Sequence, residues 1–117
     1  MTGRDDSVYL QHILEAIAQI RTYTAGMDEP LFLANRLVQD GVIRQIEIIG
    51  EASKNLSPAT RSLTSGIPWK DIAGMRDKLI HQYFGVDIPS VWATVDQDLP
   101  QLQEQVTILL QKLNPER

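Results

Sequence analysis

The residues best equipped for chemistry fall in one window, Met75-Arg76-Asp77-Lys78-Leu79-Ile80-His81-Gln82-Tyr83-Phe84-Gly85. It holds one of the chain's two histidines, an arginine five residues before it and a tyrosine two after it. Imidazole moves protons near neutral pH, and guanidinium presents forked donors matched to a phosphate. Together they suit cleavage of a phosphodiester without a metal. His81 would withdraw or return a proton at a ribose 2'-hydroxyl or at the leaving oxygen, and Arg76 would stabilise charge on the phosphoryl oxygens. Spacing alone favours a plainer reading, in which Arg76 pairs with a surface carboxylate and His81 helps close a helix.

The element that must position these groups is a helix launched by Ile67-Pro68-Trp69, with Ile72, Met75, Leu79 and Ile80 facing inward and Gly85 ending it. At about 100° per residue, Arg76 and Tyr83 lie roughly 20° apart on one face, and Asp77 and His81 share another. Arg76 and His81 are splayed by roughly 140°. One straight helix therefore does not aim both at one small group; the helix must bend, end near His81, or meet a second copy.

The remaining sequence narrows the chemistry. A chain of 117 residues, 43% of them hydrophobic, is expected to form one domain over residues 1–117. No cysteine is present, which excludes a disulfide framework and thiolate metal sites. His12 and His81 stand far apart among scattered carboxylates, so no metal-ligand spacing is recognisable and no cofactor is called for. No glycine cluster precedes a lysine and a hydroxyl residue, and no G-x-S-x-G element occurs. Eleven basic against fifteen acidic residues, a net charge of -4, argue against generic nucleic-acid binding but leave room for a local basic site. Without a basic-then-apolar leader or a long apolar run, the expected location is the cytoplasm, away from the membrane.

Hydrophobic periodicity is helical throughout, which predicts an all-α bundle with short connections. A first helix is expected over residues 5–24, with Leu10, Ile13, Leu14, Ile17, Ile20 and Thr24 as its stripe. Asp5 and Asp6 would favour its dipole, Ser7 is an alternative cap, and Gly26 would terminate it. Asp28 caps the next helix ahead of Pro30. From Leu31 to Leu56 the pattern Phe32, Leu33, Leu37, Val42, Ile46, Ile49, Ala52, Leu56 continues as one helix or as two joined near Asp40-Gly41. Gly41 and Gly50 inside it imply close helix approach. Ile43 and Ile48 widen the apolar surface, consistent either with a helix wrapped by neighbours or with a dimer interface. Ser57-Pro58 starts a short helix to about Leu63, closed by Thr64-Ser65-Gly66. Asp87 caps a helix from Ile88 to Gln97 burying Val91, Trp92 and Val95. Asp98-Leu99-Pro100 restarts or kinks the chain before the stripe Leu102, Val106, Leu109, Leu113.

Other chemically capable residues have plainer roles. His12 reads as a solvated helix residue, and Trp69 and Trp92 as core anchors rather than stacking platforms for bases. Lys78 could contact a phosphate but more simply stays solvated. Glu51 more simply pairs with a nearby base than catalyses.

The segment Arg76-Asp77-Lys78-Leu79-Ile80-His81-Gln82-Tyr83 has the form R-x4-H-x-Y, which resembles the signature of the HEPN superfamily and specifically of HepT-like toxins. Residues 48–57 (IIGEASKNLS), 67–76 (IPWKDIAGMR) and the run from Val91-Trp92 to Asp98-Leu99-Pro100 look like that family's landmarks in the right order. The resemblance covers nearly the whole chain. It implies a HEPN-type antiparallel bundle of about four to six helices, dimeric, with a metal-independent endoribonuclease site shared across the homodimer. Carried over residue by residue, Arg76 and His81 are the catalytic pair, Asp77 supports His81 and Tyr83 is the modified residue; Lys78, from its charge and place alone, is set beside them as a supporting residue. It further implies a type VII toxin-antitoxin pair, in which an MntA-like minimal nucleotidyltransferase antitoxin transfers AMP from ATP to Tyr83. Two other classes stay open: a non-catalytic nucleotide-binding or adaptor module, and an antitoxin-like partner restraining a nucleotidyltransferase.

Overall fold

A computed structural model describes the backbone of residues 2–64, 66–81 and 86–114, with side chains described for 6–64, 66–75 and 86–114. The elements run α1 (Thr2–Tyr23), α2 (Glu29–Leu33), α3 (Arg36–Lys54), α4 (Pro58–Ser62), α5 (Trp69–His81), α6 (Ile88–Ala93), a π-helical turn (Thr94–Asp98) and α7 (Leu99–Leu113). The expected all-α class is what forms, with no strand among the described residues. None of the described helices is long and apolar enough to cross a membrane.

Short-range capping chemistry sets most helix starts. Leu31 N–H donates to Asp28 at 3.1 Å, Thr60 N–H to Ser57 at 3.2 Å and Ser90 N–H to Asp87 at 3.4 Å. After α1, Gly26 takes φ +76°, the left-handed conformation that glycine adopts without steric cost.

The core is built by three long stripes. Leu10, Ile13, Ile17 and Ile20 of α1, Val42, Ile46 and Ile49 of α3, and Val106 and Leu109 of α7 are buried, each side chain contributing about 1.5–3 kcal/mol of transfer free energy. α3 packs against both α1 and α5, and α1 also against α7. Cross-helix contacts give the directions. Asp6 meets Ser57 while Tyr23 meets Gly41, so α1 and α3 are antiparallel. Arg21 donates to Gln103 at 2.6 Å and Asn114 to Ser7 at 2.8 Å, so α1 and α7 are antiparallel too. Phe32 lies at the α2–α6 corner with its ring 5.2 Å from that of Trp92, and Trp69 is buried; both tryptophans are the anchors expected.

Three expectations are corrected, and one pair of alternatives is narrowed. The Leu31–Leu56 pattern breaks at Ala34-Asn35, not at Asp40-Gly41. Asn35 accepts from Val38 N–H at 3.0 Å, and the buried Gln39 amide donates to the carbonyls of Phe32 and Leu33, so the α2–α3 corner satisfies itself. Gly41 stays helical inside α3. A Cβ there would stand 3.2 Å from the Tyr23 ring, so the predicted close approach is real and its partner is the end of α1. Leu33 and Leu37 face solvent instead of the core, because the corner rotates α3 relative to α2. α1 begins at Thr2, so Asp6 and Ser7 lie inside it rather than at its start: Ser7 accepts from Asn114, and Asp6 is buried against α4. At Asp98-Leu99-Pro100, of the two alternatives, the chain does not restart but runs on through an irregular turn. Leu99 N–H bonds back five residues to Thr94, and this wider turn carries the helix past Pro100, which has no N–H to give.

Candidate active site

The motif helix is anchored at its first half. Ile67 and Trp69 are buried, Trp69 N–H donates to Ile67 at 2.9 Å and Ile72 N–H to Pro68 at 3.0 Å, so the turn before α5 and its first turn are one packed unit. Ile72 is buried and Met75 half-buried on the face toward the core, as the sequence predicts. α5 lies against α3.

Arg76, Asp77, Lys78 and His81 all belong to this helix, which is α-helical through His81. Their side chains, with those of Leu79 and Ile80, lie outside the described residues, as do Tyr83 and Gly85 altogether. The backbone nonetheless has a geometric consequence. Five helical positions put Arg76 and His81 roughly 140° apart around the axis and about 7.5 Å apart along it, whereas Asp77 and His81 are about 40° apart on one face. The register sets positions 77 and 81 on one face of α5 and positions 76 and 81 on different faces.

A carboxylate unrelated to the motif holds the neighbouring junction. Asp6 of α1 accepts from Ser57 N–H at 3.1 Å, from Ser57 Oγ at 2.5 Å and from the Thr60 hydroxyl. Arg61 in turn donates to the carbonyls of Ser53 and Lys54 at 3.2 and 3.0 Å, closing the end of α3. Burial opposes ionisation of Asp6, but the bonds from Ser57 and Thr60, with the nearby Arg61 charge, outweigh it and hold the carboxyl below its ordinary range. Sequence reasoning did not find this role, since the partners are 51 and 54 residues away. The legible part was Ser57 as a cap.

His12 is exposed, as expected, and edge-on to Tyr9 with ring centroids 6.2 Å apart. Both border an open groove of about 200 Å3 between α1 and α3, lined also by Arg44, Glu47, Ile48, Glu51, Ala52 and Asn55. Among the described residues no three His, Asp or Glu side chains are grouped to hold a metal ion.

Comparison with known families decides the class of this arrangement. The family model described as Ribonuclease HepT-like matches residues 13–109, a span that includes the whole motif. The chain belongs to the HepT-like ribonuclease family. Endoribonuclease is the reaction class that this membership carries. Among curated relatives, a "Probable ribonuclease HepT" of Thermococcus cleftensis is 47% identical over 86% of this chain and 91% of its own length. A "Putative RNase" of Caldanaerobacter subterraneus subsp. tengcongensis is 43% identical over 89% of this chain and 93% of its own length. A Methanocaldococcus jannaschii protein named "Gamma-glutamylcyclotransferase and putative RNase" is 46% identical over 95% of this chain, which spans half of that protein's length. No solved structure matches the HepT-like chain.

Proposed function

We propose that this HepT-like protein is a metal-independent endoribonuclease toxin whose active site is shared by two copies of the chain. The observation that carries the reading is the helical register of α5: the motif's arginine and histidine stand roughly 140° apart, so a pair facing one phosphate is most simply assembled across a two-fold axis. In such a cleft His81 takes the proton of the ribose 2'-hydroxyl as its oxygen attacks phosphorus, or returns one to the departing oxygen. Arg76 holds the phosphoryl oxygens as charge builds on them. Asp77, one turn before His81, orients the imidazole, and Lys78 adds charge for the RNA backbone.

Regulation follows from the tyrosine two residues beyond the histidine. A minimal nucleotidyltransferase antitoxin of the MntA type, in a type VII system, transfers AMP from ATP to the Tyr83 hydroxyl, which loses its proton as pyrophosphate departs, and the new phosphodiester and its nucleoside come to lie beside Arg76 and His81. The modification competes with RNA phosphate for the same donors.

The direct test is RNA cleavage by purified protein carrying Arg76→Ala or His81→Ala. Both are expected to lose cleavage and growth inhibition while keeping the helical fold; full cleavage by His81→Ala would overturn the assignment.

A further inference from the structure

The most exposed large apolar residue of α3 is Leu37, 82% exposed, whereas Val38, Val42, Ile43, Ile46, Ile48 and Ile49 are buried or half-buried. Eleven positions on, within about 20° of three whole turns, Ile48 falls on the same face. With Ala52 it forms the apolar floor of the α1–α3 groove beside Tyr9 and His12. Leu37 stands about 16 Å along the helix from that floor, so it cannot fill its own groove. An antiparallel second copy of α3 removes the difficulty.

A two-fold contact is reciprocal: position i meets position j, and j meets i. Crossing two copies of α3 near residues 42–43 sets Leu37 over Ile48 of the partner subunit, and the reverse. The same register brings Asp40 opposite Arg44 of the partner subunit and Arg36 opposite Glu47 of the partner subunit. Arg36 and Asp40 are exposed, and the Arg44 side chain is 70% exposed, its ion pair to Glu47 within its own helix 3.8 Å long. The face therefore offers a knob, a groove to receive it, and charges of both signs in self-complementary order. A lipid surface or a nucleic acid would ask for one sign alone.

We propose that this face of α3 is where a second copy of the chain docks, with Leu37 of each copy seated in the α1–α3 groove of the other. The inference rests on the shared-site reading and adds the face that closes the dimer. Because α5 packs against α3, an axis through α3 carries both motif helices beside it.

Sedimentation analysis of the full chain over a range of concentrations tests the proposal, with helicity and melting followed in parallel. The unaltered protein is expected at twice its 13.2 kDa chain mass. Leu37→Glu, at a solvent-facing position, is expected to weaken the dimer at least tenfold without loss of helicity. Asp40→Arg and Arg44→Asp should each weaken it, and the double variant should recover most of the loss. Unaltered protein that is dimeric, with Leu37→Glu equally dimeric, overturns this face and leaves the shared-site reading standing. A double variant no tighter than the single ones overturns the antiparallel register. Unaltered protein that stays monomeric while cleaving RNA overturns the shared site itself.

Discussion

The Asp6 carboxylate accepts both the backbone N–H and the hydroxyl of Ser57, at 3.1 and 2.5 Å, from 51 residues away in the chain. Ser57 is at once the cap of α4 and the anchor of α1, so one side chain registers the first helix against the junction that leads to the motif helix. Removing the carboxylate leaves two hydroxyls and an N–H to find other partners. Asp6→Ala is expected to cost about 1–3 kcal/mol, and Asp6→Asn less, measured by urea denaturation.

The same network predicts an acid dependence. Asp6 titrates below its ordinary value of 3.8 in the folded protein. A depressed folded value means the unfolded chain binds the proton more tightly, so its contribution is complete above 3.8 and is lost as pH falls through the lower folded value. Thermal melts from neutral pH down to pH 2–3 should show Asp6→Asn losing less stability than the parent over that acid window. Parallel curves for the two proteins would count against it.

At Gly41 two effects of opposite sign meet. Alanine gains up to about 1 kcal/mol of helix propensity, but its Cβ would sit 3.2 Å from the Tyr23 ring. Tyr23 is the last residue of α1 and 36% exposed, so its ring is free to shift by the few tenths of an ångström required. Gly41→Ala is therefore expected to be neutral to slightly stabilising, and Gly41→Leu to lose about 1–3 kcal/mol by overpacking. Equal losses in the two variants would show that the ring is not free to move.

Phe32 is fully buried in a helix of five residues and stacks at an angle on Trp92. So short a helix is held by its packing rather than by its own hydrogen bonds. Phe32→Ala should lose about 3–5 kcal/mol, and near-ultraviolet circular dichroism should report the changed environment of Trp92.

For the proposed switch, mass spectrometry after incubation with the partner nucleotidyltransferase and ATP is expected to show added AMP on the parent chain and none on Tyr83→Phe. Modification retained in Tyr83→Phe would place the acceptor elsewhere. Cleavage of RNA by unmodified Tyr83→Phe should persist, since the phenol is not assigned to the chemical step.

What could be read along the chain was whatever depends on neighbours a few residues away. Asp28, Ser57 and Asp87 declare helix starts because each bonds an N–H three residues on, and Gly26 declares a stop because its conformation is local. The stripes of α1 and α7 follow from the helical period, and the R-x4-H-x-Y spacing fixes the roughly 140° between positions 76 and 81, whereas the ribonuclease reading of that segment came from the family resemblance and not from spacing. Tertiary structure decided the rest, because the partners are distant in sequence. Gln39 bonding back to Phe32 and Leu33 moved the α2–α3 break, and with it turned Leu37 to solvent. Gly41, lacking a Cβ inside α3, leaves room for the Tyr23 ring at the end of α1. Asp6, which by position looked like a dipole partner for its own helix, proved to be the clamp on another.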